Sequence, residues 1–433
     1  MRQSLLFVAI GIAVLSPAPA MAGASASKAD VIRYTEQMMA QFYRADAPGA
    51  AVLVARGDDV LYRGARGLAD VGSGAPLTAD SVFRIGSISK QFAAAGLLKL
   101  VEAGKLSLDD PLSKFVPDFP NGAHITVLEL LNHTSGVKDY TRIKAWREGP
   151  IETDLSTAQL LATFKDATPD FAPGEDWAYD NSGYALVGAV IEAVTGKPWH
   201  QYLREALFNP LGLRHTGYGA DPRFAAMQVP GYSLDDGKVV PAKVISMTIP
   251  SAAGALLSTV DDLLTWNRAL HEGRVLKSEA YARMITPVGK AVDANYGFGI
   301  ELATVQGRPM LDHSGGIFGF EAMLEYLPGP DITVVVLQNN DSNEDYKGPD
   351  MIARKLAAAA LGAPYPVAAA TAANAQDLQQ FEGVYRMGPD SARVLRVVDG
   401  KLTAQRTGGE RSNLAPIAAD QFLYDDALTR FTV

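Results

Sequence analysis

The chain has 433 residues, 48% of them hydrophobic, and a formal net charge of −9. This is enough apolar material for a large core spread over about two or three domains, and the scattered charge, without basic clusters, excludes nucleic acid as an expected partner. Cysteine is absent, which excludes disulfides, thiol nucleophiles and thiolate metal sites together.

In chain order, the first element reads as an address. Met1-Arg2-Gln3 gives a positive start, Leu5 to Leu15 is an apolar run too short to cross a bilayer comfortably, and Ala20-Met21-Ala22 offers a small-residue cleavage site. Residues 1–22 are expected to be a signal peptide, and the protein to be periplasmic or secreted, with no integral membrane segment in residues 23–433. From Lys28 to Arg44, Val31, Tyr34, Met38, Met39 and Phe42 recur at helical spacing. "GAAVLVARGDDVLYRGARGLAD" predicts two strands around a turn at Gly57-Asp58-Asp59. A long apolar helix then runs from Ser87 to a stop at Gly104.

Between Asp109 and Gly289 helix and loop signals alternate, with few strand-like runs; Ser258 to Leu270 is an amphipathic helix with a capping residue and an acidic first turn. Strand signals return in "YGFGIELATV", "EAMLEYLP" and "DITVVVLQNN", and a helix over Tyr346 to Leu361 closes the unit. Strands near both ends with a helical middle predict one sheet built from distant segments: an α/β sandwich over 23–361 with an inserted, mostly helical subdomain. Residues 362–376 read as an Ala/Pro-rich linker. Residues 377–433 read as a small β-rich tail, too short for an eight-stranded barrel at roughly 8–12 residues per strand and turn.

The six histidines include no HExxH and no close pair of ligands, so neither a metal nor another cofactor is expected. The candidate chemistry begins with Ser-x-x-Lys, which occurs three times: Ser25/Lys28, Ser87/Lys90 and Ser135/Lys138. Only Ser87 leads directly into a long helix-forming run; Gly136 makes a turn of the third pair. Positions three apart share a helix face, so the Lys90 amine can reach the Ser87 hydroxyl. The free N–H groups of a helix start favour developing negative charge, and a lysine in an apolar pocket can act as a base. Taken alone, the pair reads equally well as an N-cap serine beside a solvated lysine.

A second element, Tyr179-x-Asn181 in "WAYDNSGYALVG", can place a phenol beside the lysine and a carboxamide beside a substrate amide. The third is His313-Ser314-Gly315-Gly316, between two strand-like runs, where glycines allow close approach to the backbone. An edge strand there can pair with a peptide-like substrate, and its N–H with that of Ser87 can form an oxyanion hole.

These three motifs occur in the order and rough spacing found in the penicillin-recognising serine hydrolases. The chain most resembles the branch of class C β-lactamases, D-alanyl-D-alanine carboxypeptidases, D-aminopeptidases and related esterases. "LLNHTSGV", "GALLSTVDDLLTW" and "YGFGIEL" extend the likeness over roughly residues 30 to 360. The tail resembles the start of a lipocalin-like domain appended to some relatives. The resemblance implies that Ser87 attacks a carbonyl while Lys90 and Tyr179 handle its proton. The N–H groups of Ser87 and Gly316 would hold the oxyanion, Asn181 would contact the acyl side chain, and the strand His313-Ser314-Gly315 would bind substrate. Which of Lys90 and Tyr179 is the immediate base stays open at this point.

Two departures from the pattern carry expectations. His313 stands where dedicated β-lactamases have lysine, which points towards a peptidase or esterase; activity on carboxylate-bearing substrates is expected to fall as His313 titrates near its ordinary pKa of about 6.5. Asp180, in the middle of the second motif, is expected to face solvent rather than attract a substrate amine. A Gly-x-Ser-x-Gly elbow, which an α/β-hydrolase would need, is missing. A binding protein on a dead hydrolase scaffold would be expected to lose Ser87 or Lys90. A small peptide-like or ester substrate follows, with a D-amino-acid peptide preferred and esters or β-lactams as alternatives.

Overall fold

The computed structural model describes residues 26–144, 149, 151–341, 348–367, 375–388, 391–417, 420–424, 428 and 430–432; the expected signal peptide, and the linker between 368 and 374, lie outside them. Strands β1 (Ala50–Arg56) and β2 (Asp59–Arg66) form the anticipated hairpin around Gly57-Asp58, with Gly57 at φ +51°. Near the other end of the domain come β3 (Glu301–Val305), β4 (Arg308–Ile317), β5 (Phe320–Leu327) and β6 (Ile332–Gln338). They assemble in the order β3-β4-β5-β6-β1-β2, with every neighbouring pair antiparallel. The centre of the sheet is the β1–β6 ladder, running from Ala50 opposite Gln338 to Arg56 opposite Ile332.

The uninterrupted apolar runs of β1 and β6 follow from burial on both faces. Ala50, Val52 and Val54 point to one face and Ala51, Leu53 and Ala55 to the other, and all six are buried. The longer helices are α1 (Lys28–Phe42), α2 (Ser89–Glu102), α3 (Asn181–Thr195), α4 (Val260–His271) and α5 (Pro349–Ala360). The terminal helices α1 and α5 cover one face, packing Val31, Met38, Ile352 and Leu356 against Val52 and Val334. Helices α2 and α4, with the inserted helical region behind them, pack against Leu53, Leu324 and Val335 on the other. Helix α2 is therefore enclosed, and every residue from Ser89 to Leu98 is buried. Its end is a left-handed stop: Gly104 has φ +65°, and Lys105 N–H returns to the Leu100 carbonyl.

The segment read as helix and loop also contains short strands. Leu256–Ser258 pairs with Phe83–Arg84 and with Gly217–Tyr218, and Tyr232–Asp235 pairs with Lys238–Pro241. At two to four residues they are too short to show an alternation. The tail forms six consecutive antiparallel strands between Gly383 and Thr432, around Leu395, Leu402, Leu414 and Phe422. Among the described residues no ladder joins its first strand to its last, so the sheet is open.

Candidate active site

Ser87 sits at the junction of sheet and helices. Its turn is held to the strand Leu256–Ser258 from both sides: Ile85 N–H donates to the Leu256 carbonyl, and Leu256 N–H donates to Ser89 Oγ. The long helix begins at Ser89, two residues later than the sequence predicts, and Gly86–Ile88 form a 3₁₀ turn before it. With three residues per 3₁₀ turn, Ser87 and Lys90 still lie over one another.

Lys90 is fully buried and its Nζ donates to three acceptors: Ser87 Oγ at 3.1 Å, Asn181 Oδ1 at 2.8 Å and the Ala253 carbonyl at 3.1 Å. Loss of water nevertheless pushes its pKa down from 10.5 to about 7, against the pull of the Asp139 and Asp180 carboxylates. A neutral amine is thus populated near neutral pH, in contact with the hydroxyl. The Tyr179 ring centroid lies 4.7 Å from Nζ, and the Ser87 side chain is near enough to its phenol to oppose the effect of burial on it. Burial raises the Tyr179 pKa far above 10, so the phenol holds its proton.

Asp180 does not face solvent; it is 4% exposed. It caps helix α3, its carboxylate accepting from Gly183 N–H, and its other oxygen lies 3.3 Å from His133 Nδ1. Burial holds that carboxyl up near pKa 7 and keeps His133 uncharged. An aspartate directly before an apolar helical run is an N-cap signal, and it marks this role in the sequence. We expect Asp180→Ala to lower stability by about 1–2 kcal/mol through the lost cap, since the backbone N–H of residue 180 still donates to His133 Nδ1. Asp180→Asn should cost far less, and neither should discriminate between amine-bearing and neutral substrates. Urea unfolding with paired kinetics checks this.

His313 also departs from expectation. The side chain is 1% exposed, with Nε2 2.9 Å from the Tyr296 hydroxyl and Nδ1 2.6 Å from the Ser314 carbonyl. Burial, with Lys90 nearby, lowers its pKa to about 3. The ring is neutral from pH 5 to 8, so the expected loss of carboxylate binding through its titration has no titrating group behind it. Ser314 points to the opposite face of the sheet, where it lines a separate hollow with Asp312 and Arg354.

The strand's contribution is its backbone. Strand β3 pairs with β4 only from Arg308 to Asp312, which leaves 313–317 an edge on that side. A Cβ on Gly315 would lie 2.0 Å from the Ile85 carbonyl oxygen, and one on Gly86, at φ +48°, would lie 2.7 Å from Gly316 N. The nucleophile turn and the edge strand therefore meet backbone to backbone. In front of them opens a cavity of about 560 Å³ reached by Ser87, Asn181 and Gly316, with Tyr140, Ile249 and Phe318 among its apolar walls. The structure thus brings Ser87, Lys90, Tyr179, Asn181, Gly315 and Gly316 together and leaves the His313 and Ser314 side chains out. The Ala253 carbonyl and Thr141, whose hydroxyl lies 3.4 Å from Asn181 Nδ2, join the site without a sequence signal.

The family model described as Beta-lactamase matches residues 31–359. Penicillin-binding protein 4* of Bacillus subtilis is 26% identical over 395 residues, covering 86% of this chain and 86% of that protein. A D-aminopeptidase of Gluconobacter oxydans is 29% identical over 329 residues, 74% of this chain; the match spans 60% of that enzyme's length. Among solved structures, a D-stereospecific amidohydrolase from Streptomyces sp. superposes with a TM-score of 0.62 at 30% identity, over 73% of this chain and 95% of that one. The chain belongs to the Beta-lactamase family. It is a serine hydrolase of the type that cleaves peptide-like amides or esters.

Proposed function

We propose that the protein is an exported hydrolase of D-amino-acid peptides that works through an acyl-enzyme on Ser87. The observation that carries this is the buried Lys90 amine, 3.1 Å from Ser87 Oγ and with a pKa lowered to about 7. Neutral Lys90 removes the hydroxyl proton as Oγ attacks the scissile carbonyl. Tyr179 relays that proton from the Lys90 ammonium to the leaving amine, its phenol being protonated before and after the step. The N–H groups of Ser87 and Gly316 hold the oxyanion. Asn181 Oδ1 is occupied by Lys90, so its Nδ2 is the group that meets the substrate amide. Water then releases the acyl group.

The D configuration is supported by the names of the relatives, a D-aminopeptidase and a D-stereospecific amidohydrolase. Export is supported by the leader-like pattern of residues 1–22. An uncharged imidazole at the head of the third motif supports a peptidase or esterase over a dedicated β-lactamase, since no cation stands there to attract a carboxylate. The test uses residues 23–433 with a fluorophosphonate probe and with N-acetylated D,D- and L,L-dipeptides. A single adduct on the Ser87 peptide, and kcat/KM at least about tenfold higher for the D,D substrate, is expected. An adduct elsewhere, or preference for the L,L substrate, overturns the proposal.

A further inference from the structure

Asn181 lines the cavity and accepts from the Lys90 amine at one end of its carboxamide, which leaves the other end for the substrate. The two ends have nearly the same shape, so packing does not choose between them. Neutral Lys90, the form that takes the Ser87 proton, carries a lone pair as well as hydrogens, so the lysine does not choose either. The choice is made behind Asn181. Its Nδ2 donates to Thr141 Oγ1 at 3.4 Å, and the Thr141 hydroxyl donates to Asp139 Oδ2 at 2.8 Å. Asp139, 3% exposed, stands behind the wall that Thr141 and Asn181 give the cavity. Its Oδ1 accepts the backbone N–H groups of Thr141 at 3.1 Å and of Asn181 at 3.4 Å, and Arg142 Nε lies 3.5 Å from Oδ2. Ser182 pins this segment to the start of α3: its hydroxyl donates to the Lys138 carbonyl and accepts from Tyr140 N–H.

An ionised carboxylate can only accept hydrogen bonds. The Thr141 hydroxyl therefore gives its one hydrogen to Asp139 and offers Asn181 a lone pair. Asn181 turns an N–H to Thr141 and Oδ1 to Lys90, and its second N–H hydrogen is left for an acceptor on the substrate. We propose that Asp139 is a positioning residue that acts through Thr141 to fix which end of the Asn181 carboxamide faces the lysine, so that the substrate always meets a donor. This rests on the reading of Ser87 and Lys90 as the reacting pair, and within that reading the site requires a carbonyl on the acyl side of the scissile bond, as an N-acylated residue supplies. Asp139→Asn keeps the shape and reverses the chain. The new carboxamide oxygen accepts the two backbone N–H groups and its nitrogen donates to Thr141. The Thr141 hydroxyl then turns its hydrogen to Asn181, whose carboxamide flips to receive it, and the substrate carbonyl meets an oxygen.

The experiment measures kcat/KM for N-acetyl-D-Ala-D-Ala and for propionyl-D-Ala, which has the same scissile amide without the acetamido group. Asp139→Asn, with an unchanged near-ultraviolet circular dichroism spectrum, should lose about five- to fiftyfold of the wild-type preference for the acetylated substrate. Thr141→Ser keeps the hydroxyl and should keep the preference; Thr141→Val should lose about three- to tenfold of it. The double variant is decisive. Because the reversal runs through the Thr141 hydroxyl, adding Thr141→Val to Asp139→Asn should restore the preference by about threefold or more. A residue that merely holds the fold would instead give losses that add or grow. An unchanged preference in Asp139→Asn, equal losses in Thr141→Ser and Thr141→Val, or a double variant no better than Asp139→Asn overturns the assignment. If Asp139→Asn does not fold, the two Thr141 variants decide: preference kept by serine and lost with valine supports the assignment, and any other result overturns it. Fluorophosphonate labelling of Ser87 separates the two levels. A labelled Ser87 with any of the overturning results removes the role of Asp139 alone, whereas an unlabelled Ser87 overturns both readings.

Discussion

Lys90→Met is expected to slow acylation of Ser87 by about 10²- to 10⁴-fold, the usual contribution of a positioned general base, and to make the folded protein more stable at pH 7. The two effects share one cause. Lys90 is buried where its folded pKa is about 7, against 10.5 for the ordinary side chain. Between those values the unfolded chain holds a proton that the folded chain does not, so stability rises with pH across the window. The cost of burying the amine is fully present below pH 7 and gone above about 10.5; at pH 7 it is of order 4 kcal/mol. Methionine removes the charge at similar length but strands the acceptors on Asn181 and Ala253, at about 1 kcal/mol or more each. The net gain should be about 1–2 kcal/mol at pH 7 and smaller by about 2 kcal/mol at pH 9. Urea unfolding at the two pH values checks the stability. Single-turnover acylation checks the chemistry: the wild-type rate should climb through about pH 7 as the amine loses its proton, and the variant should lack that rise. A variant whose advantage grows with pH would contradict the charge argument.

Gly315→Ala should damage the site nearly as much without touching a catalytic side chain. The added Cβ would sit 2.0 Å from the Ile85 carbonyl oxygen, a backbone atom with no side-chain freedom to yield. Strand and nucleophile turn must separate, which moves the Gly316 N–H away from that of Ser87. Misplacing one oxyanion donor costs about 10²- to 10³-fold in kcat, and the overpacking should cost about 1–3 kcal/mol of stability. Gly316→Ala is the control: no heavy atom lies within 4 Å of its Cβ position, so its stability should stay within about 0.5 kcal/mol of wild type. Equal stability losses in the two variants would show that the contact at Gly315 is not what the geometry implies.

The parts of this architecture marked by a fixed short spacing or by a continuous apolar run between turn residues were legible in the sequence. Helix α4 with its cap carries a periodic apolar pattern, β1 and β6 are short apolar runs bounded by turn residues, and Ser87, Lys90, Tyr179 and Asn181 sit at or just before the starts of two helices. What was not legible depends on what folds over a residue. His313 reads as a group that titrates near neutral pH until Tyr296 and Lys90 are placed beside it. Asp180 reads as a surface residue until His133, far away in the chain, is packed against it. Lys243 and Phe318 come to the cavity from separate loops, and loop conformation leaves no period to read.

The β1–β6 ladder also sets a time at which the enzyme can exist. Ala50 finds Gln338 only by closing a loop that contains the whole helical region, and contacts this distant in sequence form slowly. A nascent chain that has not yet made Ile332–Gln338 has β1 and β2 only as a two-stranded hairpin, which is marginal in water. It also has Ser87 and Lys90 without the backbone of Gly315 and Gly316 against them. The arrangement of Ser87, Lys90 and the Gly315–Gly316 backbone is therefore complete only once the closing strands have formed.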